Sequence, residues 1–461
     1  MNIKIKKGLN LQLEGGIADP LGASAISPLT SAACALCPED FHGFKPKTIV
    51  KEGDTVTAGQ AVLFNKDYET MTLVSPVNGT IKAIVRGDRR KILRVEIEPA
   101  PDGEAPSAEA SPLADEAPEA TVDALARAGI LARFRQRPFD VVPAAGISSV
   151  RDIYVTALDT APLALSPAAL CAADPQSASY SADGARVLTR LSAGKVFIAV
   201  DAASASHPAV KALDKIDRVV IITVEGPHPA GLAGTIIANT KPINKGETVW
   251  TLDFNTMLRI GQYAATGKYS FDNIVAVTGS EIKSPHAVKA PDGAALQAII
   301  GGELKDDGVN KRIISGNVLT GVKEDADGYL HFPYTQVTVI PEGDDVDEFM
   351  GWASLSPSKI SAKRSFPLSF LKKTFSPDAR LNGGRRAMIM SGEYERYMPL
   401  DILPEYLVKA VIAKDIDAME RLGIYEVAPE DFALAEFADT SKLPLQQIIR
   451  EGLDYLREET E

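Results

Sequence analysis

Lys195-Val-Phe-Ile-Ala-Val200, closed by Asp201, and Arg218-Val-Val-Ile-Ile-Thr-Val224 are two apolar, β-branched runs joined by a short helix opening at Pro208. Asp152–Leu158, ending at Asp159, is an earlier strand of the same kind, and Thr121–Ile130 and Ala185–Ala193 read as helices. A strand–helix–strand rhythm of this sort predicts a parallel sheet covered by helices. Ligands of such sheets bind beyond the carboxyl ends of the strands. Those ends carry Asp159, Asp201 and the loop Glu225-Gly226-Pro227-His228-Pro229.

This α/β unit, residues 121–258, is Rossmann-like in rhythm but lacks the dinucleotide fingerprint. No G-x-G-x-x-G follows its first strand, and no P-loop occurs anywhere in the chain. Gly231-Leu-Ala-Gly234 has the wrong spacing and reads as close backbone packing. His228, flanked by Pro227 and Pro229, is expected to be rigid and solvent-facing, able to meet a ligand or a partner.

Outward toward the amino terminus, residues 47–98 read as short strands between Gly-Asp turns at Lys51-Glu52-Gly53-Asp54 and Arg86-Gly87-Asp88. Glycine supplies the positive φ of such turns, and aspartate bonds the backbone beyond it. Ser75-Pro76-Val77-Asn78-Gly79-Thr80 is a further turn between them. Two similar halves around one hairpin resemble the biotinyl/lipoyl carrier domain, a barrel-sandwich, here assigned to residues 1–100. The family attaches its cofactor to a lysine eight residues before an Ala-Pro turn. Tyr68 fills that slot, and Lys66 lies nearby without the flanking pattern, so a structural module is expected and no covalent cofactor.

Residues 101–120, rich in Ala, Pro and Glu, read as an acidic linker. Toward the carboxyl terminus, 259–341 reads as a β-grasp unit of the SLBB-like kind. Its strands are placed at Asn273–Val277, Val288–Lys289 and Lys311–Ser315, with a helix through Leu296, Ile299 and Ile300. The remainder, 342–461, reads as mostly helical from Val346. Its last helix places Leu445, Ile448, Ile449, Leu453 and Leu456 on one face. The fold class is therefore multidomain α/β plus β.

At 461 residues the chain exceeds the roughly 250–300 that one core supports. Its net charge of -12 disfavours nucleic acid and anionic lipid. No run approaches the roughly 18 apolar residues of a spanning helix, because Pro162 and Pro167 interrupt the stretch Ala161–Ala173. The start, Met-Asn-Ile-Lys-Ile-Lys-Lys-Gly, alternates like a strand and lacks a signal-peptide core, so an intracellular chain is expected. Cys34 and Cys37 form a lone C-x-x-C with no second ligand pair. A structural role and no metal ligand are expected.

Taken in order, the four units resemble the A-subunit family of the sodium-translocating NADH:quinone reductases. The resemblance is carried by Ile5-Lys6-Lys7-Gly8-Leu9, Arg135-Gln136-Arg137-Pro138-Phe139, Gly226-Pro-His-Pro-Ala-Gly-Leu-Ala-Gly-Thr235, Ser391-Gly-Glu-Tyr-Glu-Arg396 and Pro399-Leu-Asp-Ile402. It implies a component of the quinone-reduction end of a complex that passes electrons from NADH to a quinone such as ubiquinone and exports sodium. It also implies a peripheral place on the cytoplasmic face of the bacterial inner membrane, held by the other, membrane-embedded subunits.

The family is similar in layout to the iron–sulfur subunit of Rnf and the flavin subunit of complex I. Each cubane iron of the former needs a thiolate. The first set of ligand slots here holds Met388, Ser391, Tyr394 and Met398, and the second Pro429, Phe432, Ala435 and Asp439. No cysteine stands in either set. Where the flavin relatives follow Ala-Gly-Ile with a glycine-rich phosphate loop, Ala128-Gly129-Ile130 leads into Leu131-Ala-Arg133-Phe134-Arg135. Neither a flavin nor an iron–sulfur centre is expected on this chain.

A quinone needs a flat apolar slot with one or two hydrogen-bond donors. Arg133, Phe134, Arg135, Arg137, Phe139 and His228 are the residues singled out as quinone or anion contacts. The competing reading is a helix end packed on its neighbour with surface arginines. No catalytic residue is identified. The alternative function is a purely structural docking subunit that binds no small molecule. A self-sufficient flavin or nucleotide oxidoreductase is disfavoured by the missing motifs.

Overall fold

The computed structural model describes residues 1–18, 26–29, 32–100, 113, 117–147, 149–167, 175–344, 354–362 and 366–460. Most of the acidic linker, the apolar stretch beyond Pro167 and the run opening at Val346 lie outside the described residues.

The central layer is a six-stranded sheet. Its order is Asn2–Lys4, Val219–Glu225, Val196–Val200, Asp152–Ala157, Val249–Asp253 and Arg135–Arg137. The first five are parallel, and Arg135–Arg137 runs antiparallel at the edge. Side chains alternate between its two faces. Ile153, Val155, Ile198 and Val200 pack with the helices Ser177–Leu191 and Phe254–Thr266. Tyr154, Ala199, Ile222 and Val224 pack with Ile236 and Ile237 of the helix Ala233–Ala238. Burial of both faces is why the strands read as continuous apolar runs. The first helix starts at Pro118, earlier than expected; proline suits the first helical turn because its missing N–H has no partner there anyway.

Residues near the amino terminus are divided among the sheets. Asn2–Lys4 joins the central sheet, whereas Ser27–Pro28 pairs with Val288 and Lys289 of the third unit. The barrel itself has two sheets. One contains Cys34–Leu36, Ile92–Pro99, Gly79–Arg86 and Thr55–Val56; the other contains Pro46–Thr48, Ala61–Asn65 and Tyr68–Val74. The first Gly-Asp turn forms as expected, with Gly53 at φ +87° and the Lys51 N–H donating to Asp54 Oδ2 at 2.7 Å. The second differs. Gly87 has φ -92°, and Arg89 and Arg90 take the left-handed conformations instead. Gly87 serves there as a gap for Leu93, whose side chain would lie 3.2 Å from an added Cβ.

The third unit is a mixed sheet ordered Val322–Glu324, Lys311–Ser315, Gln336–Pro341, Asp272–Thr278, His286–Pro291 and Ser27–Pro28. The helix Leu296–Ile300 lays Leu296, Ile299 and Ile300 on Val275, Val277, Val337 and Val339.

The C-terminal part departs from the expectation of helix from Val346 onward. Among described residues, 354–403 carries only two short 3-10 turns, Ser369–Leu371 and Tyr394–Arg396. Pro357, Pro367, Pro377 and Pro399, with Gly383, Gly384 and Gly392, interrupt any helical run there. Longer helices begin at Pro404–Ala413 and end with Leu445–Thr460, whose Leu445, Ile449, Leu453 and Leu456 are buried as the spacing predicts. The same core takes in Tyr394, Met398, Phe432 and Ala435, four of the eight slots of the iron–sulfur comparison. Among the described residues no helix is long and apolar enough to cross a membrane.

Candidate functional site

The central strands run outward from Asp152–Ala157 through Val196–Val200 to Val219–Glu225. The chain then returns to place Val249–Asp253 on the other side of the first. The reversal between Asp152–Ala157 and Val249–Asp253 is a topological switch point, where open α/β sheets leave a crevice. A cleft of about 580 Å3 opens there, lined at its floor by Thr156, Leu158, Thr251 and Asp253. The barrel contributes Cys37 and Asp40 to its walls, and the third unit His331 and Phe332. Asp253 caps its own helix, accepting the Thr256 N–H at 2.8 Å, which closes that helix end to an anion.

His228 lines this cleft, but it is 3% exposed rather than solvent-facing. The loop that carries it is fastened to the amino-terminal segment. The His228 N–H donates to Asn10 Oδ1 at 2.8 Å, and the His228 carbonyl accepts the Leu9 N–H at 2.8 Å. Gly226, at φ +144°, passes so close to Ile5 that a Cβ would lie 2.4 Å from the Ile5 carbonyl oxygen. Thr160 Oγ1 sits 3.2 Å from His228 Nδ1 and accepts the Gly231 N–H at 3.0 Å. Thr160 Oγ1, with one donor and a second lone pair left, can either donate to Nδ1, which puts the ring proton on Nε2, or accept from it. Burial pushes the imidazole down to about 4, so it is neutral near pH 7. Nε2 is buried and has no hydrogen-bond partner among the described residues.

Arg133 also lines the cleft, held by Asp292, whose Oδ2 and Oδ1 accept its guanidinium at 3.0 and 3.3 Å. Arg259 reaches the same carboxylate at 2.7 and 3.3 Å, and Asn273 donates to it at 2.6 Å. Burial alone would raise the Asp292 carboxyl, but the two guanidinium groups outweigh it and hold the group down to about 2. The Arg133 and Arg135 guanidinium groups lie 4.6 and 5.0 Å from the centre of the Phe332 ring, which stacks on Phe41 at 4.9 Å.

The other expected contacts divide. Arg135 lines the cleft and spends its donors on the carbonyls of Asp40, Ala132 and Phe134. Arg137 is 1% exposed and ion-paired with Asp140 and Glu430 at 3.2 and 2.9 Å. These arginines are committed to protein acceptors, so the loop is no open anion cradle. Phe134 and Phe139 do not line the cleft. Phe134 is fully buried edge-on to Trp250, and Phe139 packs edge-on to Tyr425 in the C-terminal core. The alternation of Arg135-Gln136-Arg137 along an edge strand sends neighbouring side chains to opposite faces, which the motif alone did not show.

Further expectations resolve at the edges of the cleft. Leu131 and Ala132, where flavin relatives keep a phosphate loop, are fully buried in the main core. Asp201 is taken up by the Ser204 N–H at 2.7 Å and the Ser166 hydroxyl at 3.1 Å. Gly231 lies against Thr160, and Gly234 so near Asp431 that a Cβ would meet its carboxylate at 2.4 Å, as close packing requires. Lys66 is exposed at the hairpin turn, and Tyr68 donates to Asp123 at 3.1 Å, docking the barrel on the first helix. Asp292, Arg259, Phe332 and His331 escaped sequence reasoning. Pro291-Asp292-Gly293 reads as the opening of the helix through Leu296, and nothing in its spacing ties Asp292 to Arg133, 159 residues away.

A barrel, a parallel α/β layer and a third mixed sheet around one cleft at a switch point define a multidomain α/β scaffold. Family models match along most of the chain: NqrA N-terminal barrel-sandwich hybrid domain over residues 3–100, NqrA second alpha/beta domain over 117–269, and NQRA C-terminal domain over 274–325. The A subunit of the Na(+)-translocating NADH-quinone reductase of a Marinomonas species is 36% identical over 99% of both chains. The proteins of the same name from Neisseria meningitidis serogroup B and Yersinia pseudotuberculosis are 36% and 35% identical over 99% of this chain and 100% of theirs. The chain belongs to the family of Na(+)-translocating NADH-quinone reductase A subunits.

Proposed function

We propose that this chain is the peripheral subunit of a sodium-pumping NADH:quinone oxidoreductase, on the cytoplasmic face of the membrane. In this reading it holds quinone without a flavin or iron–sulfur centre of its own. The observation that carries the quinone reading is His228. Its imidazole is neutral near pH 7 at the wall of the switch-point cleft, and its buried Nε2 has no protein partner among the described residues; with the ring proton on Nε2, that donor is costly unless a ligand completes it. A quinone carbonyl is an acceptor of the right kind, and Leu158, Leu232 and Phe254 offer apolar lining for the ring. Electrons come from another subunit; His228 would bind and orient the quinone.

Absence of a cofactor of its own is supported by the filled positions. Tyr394, Met398, Phe432 and Ala435 are core residues, and Leu131 and Ala132 occupy the place of a phosphate loop. The partners are the other subunits of the complex. Phe370, Leu371, Ile389 and Ile412 of the C-terminal part are exposed apolar side chains that such a partner could cover. The isolated chain is expected to be colourless, while membranes lacking it lose NADH-driven quinone reduction and sodium transport. A purified chain carrying stoichiometric flavin or iron overturns this reading.

A further inference from the structure

Cys37 precedes and Asp40 ends a 3-10 turn of the barrel, Pro38–Asp40, and His331 stands on a loop of the third unit. Their ligand atoms, one sulfur, one carboxylate oxygen and one ring nitrogen, all lie within 4.8 Å of one another. His331 Nδ1 is 2.6 Å from Asp40 Oδ1, while Nε2 is fixed at 2.8 Å by Glu324. The other oxygen of Asp40 accepts the Phe332 N–H at 2.9 Å, so the carboxylate is locked with Oδ1 toward the histidine. The Cys37 thiol is buried beside them and makes no hydrogen bond among the described residues. An ion pair of His331 with Asp40 and Glu324 accounts for three of these groups; Cys37 packs with Ala35 and Tyr329, and its thiol has no polar partner among the described residues.

We propose that Cys37, Asp40 and His331 are the protein ligands of a zinc-class divalent cation that fastens the barrel to the third sheet at the rim of the cleft. A thiolate, a carboxylate and a neutral imidazole supply two negative charges to a dication. Mixed sulfur, nitrogen and oxygen donors suit Zn2+ rather than Mg2+ or Ca2+. Zinc bond lengths of about 2.0–2.3 Å set donor separations of about 3.3–3.8 Å, so side-chain rotation opens the 2.6 Å contact of His331 Nδ1 with Asp40 Oδ1 and closes the 4.8 Å envelope. On binding, the Cys37 thiol and His331 Nδ1 each release one proton to solvent. Glu324 then accepts the Nε2–H, the carboxylate support that metal-bound histidines usually have. All three ligands line the cleft, leaving a fourth position for water. Cys34 is no part of the site, because its thiol donates to the Ala32 carbonyl at 3.4 Å. In this assignment the C-x-x-C supplies one ligand and the fold brings its two companions.

The test uses the full chain stripped with a chelator and titrated with Zn2+ by calorimetry and with Co2+ by absorbance. One equivalent of each metal is expected, with a thiolate-to-cobalt charge-transfer band in the near ultraviolet. Cys37→Ala and His331→Gln abolish binding, Glu324→Gln weakens it about 10–100-fold, and Cys34→Ala leaves it unchanged. Circular dichroism establishes that each variant is folded. The wild-type cobalt spectrum decides independently of the variants: no saturable binding, or binding without the thiolate band, overturns the assignment, as does full binding by folded Cys37→Ala.

Discussion

Asp292 holds Arg133 at two points, its Oδ2 and Oδ1 accepting the guanidinium at 3.0 and 3.3 Å. Arg133 follows the first helix of the α/β unit and Asp292 precedes the helix of the third, so the pair closes one side of the cleft. Because Arg259 shares the carboxylate, removing Asp292 strands two largely buried cations. Asp292→Ala is expected to lower stability by about 3–5 kcal/mol. Arg133→Ala, which leaves Arg259 in place, costs about 1.5–3 kcal/mol. Urea unfolding of the two variants measures both, and equal losses would refute the shared clamp.

The same carboxylate sets an acid dependence. Its folded value of about 2 lies below the ordinary 3.8. A group lowered on folding contributes stability above its unfolded value and loses it as pH falls toward the folded one. Asp292→Asn removes that contribution, so the stability gap between wild type and variant is widest above pH 5. The gap narrows by about 1 kcal/mol at pH 3. A gap that stays constant from pH 6 to 3 contradicts the low value.

Gly234 faces the Asp431 carboxylate with room for hydrogen only. Gly234→Ala is expected to cost about 1–3 kcal/mol through overpacking. Gly384→Ala, at an exposed position with nothing within 4 Å, changes stability by less than about 0.5 kcal/mol. Thermal unfolding of the two variants separates packing from chain stiffening.

Phe432 stands in a slot where the iron–sulfur relatives keep a ligand, and it is fully buried among Tyr394, Met398, Leu445 and Leu453. Phe432→Ala is expected to lose about 3–5 kcal/mol. A near-neutral change, read by chemical denaturation, shows that the slot does not support the core.

The legible parts of the sequence were those governed by local period and turn chemistry. Val196–Val200 and Val219–Glu225 alternate over two buried faces, and Leu445–Thr460 buries one stripe. The helix expected from Val346 onward fails over residues 354–403, where scattered prolines and glycines prevent one. At the site, chain position found His228 but not its burial, which comes from packing by the distant segment Leu9–Asn10. Arg133 and Arg137 were found as cations. Their carboxylate partners, Asp292 and Glu430, lie 159 and 293 residues away, beyond any local pattern.

Equilibrium binding of a soluble short-chain quinone to the purified chain, wild type against His228→Leu, tests the central claim most directly. Saturable binding by the wild type is expected, with the dissociation constant raised about tenfold in the variant, as loss of one buried hydrogen bond requires. The Phe139→Ala chain, altered away from the cleft, should bind as the wild type does if it remains folded. Wild-type and His228→Leu chains of equal affinity, or no saturable binding at all, contradict the account.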